Sequence, residues 1–186
     1  MDIQTFWRLF SRSKERLREC STAEAVETIF NLISGIDRRL AVEVGDANQI
    51  REIIFSANGL TELFPLVAKL VENAPATSDF QFVSLKPPRG FAFKIRHEGG
   101  EIDPSQWHFF PFRDNEGKLM IQLCTQGIQE LDLFNVELAL ETGVGERLFS
   151  KIDLITLASN SALSSNVQWL PIENLVHFLE RVATPS

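Results

Sequence analysis

Residues 50–75 read IREIIFSANGLTELFPLVAKLVENAP, and the reading of this stretch decides the fold. IREIIFS (50–56) is a run of apolar, largely β-branched and aromatic residues of strand length, and Asn58 and Gly59 break it as turn formers. From about Glu62 to Asn73 the spacing predicts a helix, with Pro65 acceptable only in the first turn, where no backbone N–H is required. Pro75 marks its end. FQFVSLK (80–86) then resumes strand character, and LAVEV (40–44) precedes the stretch across GDANQ (45–49), so residues 40–86 read as strand, strand, helix, strand.

Upstream, Ile3, Phe6, Trp7, Phe10 and Leu17 recur at helical spacing, with Arg8, Arg12, Lys14, Arg16 and Arg18 mainly between them. Ser21 or Thr22 offers a cap for AEAVETIFNLI, and Gly35 a stop, so residues 1–36 form a helical hairpin. Downstream, PPRG (87–90) is a turn and FAFKIRH (91–97) a strand that alternates Phe91, Phe93 and Ile95 against Lys94 and Arg96. GGEIDPSQ (99–106) reads as a loop. QWHFFPFRD (106–114) and KLMIQLC (118–124) form a hairpin joined by DNEG. LDLFNVELALE is a helix ending at Gly143, RLFSKIDLITLA (147–158) a strand, SNSALSSN (159–166) a loop, and PIENLVHFLERV (171–182) a helix with proline at its start.

The strand-strand-helix-strand order thus recurs, with an extra strand, in residues 91–158. The expectation is an α+β fold: a single domain over 1–186 with a largely antiparallel mixed sheet, helices packed on it, a possible duplicated ββαβ arrangement and a C-terminal helix over 171–183.

With 44% hydrophobic and 23% charged residues, the chain has ordinary globular composition and needs no disulfide or metal to build a core. Cys20 and Cys124 are far apart and outside any Cys-x-x-Cys pair, and the first twenty residues lack the layout of a signal peptide or a membrane span. The expected location is the cytoplasm. A net charge of −7 disfavours binding to a phosphate backbone and suits a basic protein partner.

Alternation along QWHFFPFRD puts Trp107, Phe109 and Pro111 on one face and His108, Phe110 and Phe112 on the other, so the strand is expected to be packed on both sides. The alternative keeps one face as a pocket wall, formed by Trp107, His108 and Phe110 with Arg96 or Arg113 as its polar group. Arg89, held in the PPRG turn, is a further anion-binding candidate. His97, His108 and His177 lack metal-ligand spacing, and the loop around His97, Glu98, Glu101 and Asp103 reads as solvated charge, so no metal and no cofactor are expected. Cys124 reads as a packed strand thiol, and Cys20 lacks a nearby base. TGVGERL holds a Gly-x-Gly, but it follows a helix and precedes a strand, the reverse of a phosphate-binding turn.

FWRLF near the start, residues 50–75, and ELALETGVGERLFSKIDLITL near the end together resemble a family of small bacterial proteins, a domain family without assigned activity. The resemblance covers most of the chain and implies an α+β fold, with Asn58 and Gly59 as a turn, Phe64 and Pro65 starting a helix and Gly145 and Glu146 ending one. It implies no catalytic residues. Without a catalytic constellation, the reading is a non-enzymatic protein-binding module of regulatory or toxin-neutralising type; the alternative is a small-molecule-binding protein or an unrecognised enzyme with an aromatic pocket near Trp107.

Overall fold

The computed structural model describes residues 1–47, 50–97, 100–125, 133–158 and 167–182. The expected turn at Asn48 and Gln49, Glu98 and the expected loop over 159–166 lie outside the described residues. The fold is α+β, and the chain gathers into two compact units, Met1–Lys86 and Pro87–Ser186, each with its own buried cluster.

In the first unit, α1 (Ile3–Glu19) and α2 (Thr22–Ile33) form the helical hairpin. Asp2 caps α1 by accepting from the Thr5 N–H at 2.6 Å, and Ser21 and Glu24 make a reciprocal capping box on α2. Strands β1 (Ala41–Ala47) and β2 (Ile50–Ser56) are antiparallel, with Val42 opposite Phe55. One turn of 3-10 helix (Thr61–Leu63) leads into α3 (Phe64–Glu72), where Pro65 occupies the first turn as its missing donor requires. β3 (Phe80–Ser84) returns parallel to β2, giving the strand order β1-β2-β3.

Phe6, Trp7 and Phe10 of α1 pack on Phe55, Phe80 and Phe82 of the sheet, largely edge to face; the Trp7 and Phe82 rings lie 4.7 Å apart at 66°. Offset and edge-on pairs of this kind match the ring quadrupoles. Trp7 Nε1–H donates to the Leu70 carbonyl at 2.9 Å, which ties α1 to α3. The buried Arg51 guanidinium donates to the carbonyls of Leu17 and Cys20, at the C-terminal end of α1, and to Asp46 at 2.9 Å. It thereby supplies donors to carbonyls that the helix leaves unpaired.

The second unit opens with a short hairpin, β4 (Ile95–His97) and β5 (Gly100–Ile102). One 3-10 turn (Pro104–Gln106) leads into the antiparallel pair β6 (His108–Arg113) and β7 (Leu119–Cys124). Asp114 closes that hairpin by accepting from the N–H groups of Glu116 and Lys118, while Gly117 takes φ 84°. Then follow α4 (Leu133–Val144), the single-turn α5 (Glu146–Phe149) and β8 (Leu154–Leu157), parallel to β7. β9 (Leu170–Pro171) pairs with β6, and a 3-10 turn (Ile172–Asn174) leads into α6 (Leu175–Arg181). The strand order is β8-β7-β6-β9.

An antiparallel hairpin, a helix, and a third strand parallel to the second therefore occur twice, as β1-β2-α3-β3 and as β6-β7-α4-β8. The repeat is one of topology. In both, the crossover helix lets the third strand lie parallel to the second without a knot.

Four details differ from the sequence reading. Strand geometry within FAFKIRH is confined to Ile95–His97, and the expected loop after it contains a strand and a 3-10 turn. The expected long strand over 147–158 is a helical turn followed by only Leu154–Leu157. Gly145, at φ 79°, follows the last residue of α4, and Glu146 opens the helical turn α5 rather than ending a helix. β9 escaped notice because it has only two residues. At Gly143, inside α4, an added Cβ would fall 2.2 Å from the Phe91 ring, so only glycine allows that close approach.

Candidate functional site

The core of the second unit lies on one side of its sheet. Trp107, Phe109, Ile121 and Leu123 point there, wholly or almost wholly buried, against Val136, Leu140, Leu175 and Leu179. The opposite side is different. His108 and Phe110 are half-buried, Phe112 keeps 37% of its surface and Leu154 keeps 50%. Cross-strand register puts Met120 opposite Phe112 and Gln122 opposite Phe110, with Leu154 and Thr156 next to them on β8. The Phe110 ring is 6.2 Å from Phe112 and 6.2 Å from Trp169. One face of β6 is thus core, and the other is covered only in part: Cys124 beside His108 is fully buried and Phe110 half-buried, while Phe112 and Leu154 are exposed.

The sequence candidates do not converge. Trp107 lies on the core face, and His108 and Phe110 lie on the other, so no one cavity takes a wall from all three. Arg113 spends a donor on the Gly117 carbonyl of its own turn. Arg96 is exposed at the β4–β5 hairpin, 3.8 Å from Glu101, which also accepts from Lys94 at 2.6 Å. Arg89 lies in the segment whose N–H groups at Arg89 and Gly90 donate to the Thr142 and Gly143 carbonyls near the end of α4. Nδ1 of His108 is buried without a hydrogen-bond partner among the described residues. Cys124, opposite His108, is fully buried, and desolvation pushes its thiol pKa up, away from the reactive thiolate. Cys20 contacts Arg51 at the end of α1.

Shallow clefts lie elsewhere. One of about 490 Å³ is edged by Ile3, Ile36, Leu66 and Lys69, and one of about 430 Å³ by Phe93, Lys94, Asp103 and Ser105. In the second, Asp103 is engaged with the Ser105 hydroxyl at 2.5 Å and its N–H at 3.1 Å, and both contacts lower the carboxyl pKa. Among the described residues, no group of three or more His, Cys, Asp or Glu is placed to hold a metal ion, and no helix is long and apolar enough to cross a membrane.

A second surface lies on α4. Val136, Ala139, Leu140 and Val144 face the core, yet Leu133 is 51% exposed, Phe134 68% and Leu138 38%, with Glu137 exposed between the last two. Positions 134, 137 and 138 share one helix face. The sequence reading took this stretch as a helix ending at Gly143 and named no exposed face on it. The available signal was that 133, 134, 136, 138, 139 and 140 are all apolar, more than one face of a surface helix needs. No family model, curated protein or solved structure matches the chain. The functional reading therefore rests on these surfaces.

Proposed function

We propose that the chain is a non-enzymatic protein-binding module, of regulatory or toxin-neutralising kind, that docks its partner on the outward face of α4. The observation that carries this is the pairing of exposed Phe134 and Leu138, one turn apart, around the exposed carboxylate of Glu137. Large apolar groups left in water together mark contact surfaces, because desolvating them favours association. A carboxylate among them favours a partner whose own apolar contact is bordered by lysine or arginine, and the chain's charge of −7 draws such a partner in. Phe134 supplies a rigid anchor at low entropy cost, and Glu137 selects charge and speeds encounter.

The test is capture from native lysate with tagged chain, at low and high salt, alongside Phe134→Ser/Leu138→Ser and Glu137→Lys. A stoichiometric basic protein should bind the wild type and bind the double variant at least about 30-fold more weakly. Glu137→Lys should slow association and flatten its salt dependence. A partner held equally by the double variant, or no partner at low salt, would overturn the reading.

A further inference from the structure

We infer that the solvent-facing side of α1 docks an acidic helical segment of a partner protein, through a ridge formed by Arg8, Arg12 and Arg16. The inference stands apart from the α4 reading, which concerns the other unit and a basic partner. All three arginines are exposed and recur every fourth residue, so ~6 Å separates each from the next along the helix. None of them makes an ion pair among the described residues; Arg8 only adds to the field at Asp2, and Arg16 to that at Glu24. The neighbouring charges are engaged elsewhere. Glu15 and Glu19 both turn to Arg18, at 3.1 and 3.0 Å, and Lys14 is held by Asp79 at 2.6 Å.

Like charges one turn apart destabilise a helix. A chain with 25 acidic side chains against 18 basic ones nevertheless leaves this row of three cations without a carboxylate partner of its own. The apolar side of α1 decides what kind of partner completes it. Phe6, Trp7, Phe10 and Leu17 are at most 6% exposed, so the helix has no aromatic to stack on bases and no apolar face to lay into a bilayer. Recognition there rests on charge.

The charge on this side is mixed, which separates a protein from a polyphosphate. Glu15 and Glu19 are exposed and lie within one turn of Arg12 and Arg16. A run of phosphates sets negative charge against both carboxylates. A protein helix meets the whole pattern: carboxylates at i, i+4 and i+8 face the three arginines at the same ~6 Å interval, and a lysine one turn beyond faces Glu19. Each guanidinium fork can donate two parallel hydrogen bonds to its carboxylate, which fixes orientation as well as charge. Exposed pairs of this kind are individually weak and screened by salt, so the complex is readily reversed and its selectivity comes from the register of the three pairs.

The test follows the fluorescence anisotropy of an alanine-rich helical peptide, with Glu at i, i+4 and i+8 and Lys one turn beyond, against the full-length chain at low salt. A peptide of the same composition with scrambled charges, a single-stranded oligonucleotide and vesicles containing phosphatidylserine are the comparisons. The wild type should bind the patterned peptide about tenfold more tightly than the scrambled one, and more tightly than the oligonucleotide or the vesicles. Arg12→Glu should abolish that preference, and a peptide whose central Glu is replaced by Lys should restore it. Phe134→Ser, on α4, should leave it unchanged. Without peptide, Arg12→Gln should melt no lower than the wild type by circular dichroism, because the substitution relieves like charges and removes no internal contact. No binding of the patterned peptide, equal binding of the scrambled one, tighter binding of the oligonucleotide or the vesicles, or an Arg12→Glu variant that the charge-swapped peptide does not rescue would each overturn the inference.

Discussion

The two ββαβ arrangements share topology and differ on the side of the sheet turned away from the helices. In the first, the residues alternating with the core positions Val42, Ile53 and Phe80 include Glu43, Glu52 and Gln81 beside the apolar Ile54 and Val83, and Lys86 reaches Glu43 at 3.1 Å. In the second, the corresponding side carries Phe110, Phe112, Met120 and Leu154. The cores differ as well. Six aromatic rings interlock in the first, while Trp107 and Phe109 sit among mainly aliphatic neighbours in the second. Topology is thus specified by the order of hairpin and crossover, and surface chemistry is free to diverge.

The largest expected effect tests whether the two cores are separate. Trp7→Ala removes several edge-to-face ring contacts and leaves the Leu70 carbonyl without its donor. Such a truncation costs about 3–5 kcal/mol. Native-state hydrogen exchange should show protection lost within residues 1–86 and kept within 87–186, and Trp107→Ala should show the reverse. Equal loss in both units from either variant would break the comparison at its root.

A smaller effect probes how the second arrangement seats its crossover helix. In an ordinary helix interior, Gly→Ala stabilises by about 1 kcal/mol. At Gly143 the new Cβ would fall 2.2 Å from the buried Phe91 ring, so Gly143→Ala should instead cost about 1–3 kcal/mol in denaturant melts. Phe91→Leu in the same chain should recover part of that loss, a coupling that marks direct contact. A stabilised Gly143→Ala single variant would show that the ring moves aside freely.

Much of this was legible in the sequence, and the limits have physical causes. IREIIFS coincides with β2 because a β-branched apolar run bounded by turn residues leaves little choice. Ser21 and Pro65 announced helix starts through capping and the missing proline N–H. The stretch 147–158 misled because its apolar content fits a strand or a buried helix equally, and Gly145 had to be recognised as a restart. β6 misled for another reason. Alternation assigns side chains to faces, but only tertiary packing says whether a second layer covers each face, and helices cover just one here.

The smallest effect sharpens the polar side of the comparison. In the first unit, Arg39 links the end of the helical hairpin to the start of α3, donating to Asp37 at 2.8 Å and reaching Glu62 at 3.2 Å. Those hydrogen bonds and the adjacent positive charge hold the Asp37 carboxyl at about 2. An aspartate in the unfolded chain titrates near ~3.9. Because the folded value is the lower one, the contribution to stability is fully present above the unfolded value and is lost as pH falls through the folded one. Carboxyl NMR should find Asp37 still ionised when exposed aspartates are half-protonated, and Arg39→Met should return it toward the ordinary range. The pair is solvent-exposed, so the change in melting temperature should be slight. An Asp37 that titrates normally in the wild type would mean that the first unit's polar trim is solvated charge and does not order the join between hairpin and sheet.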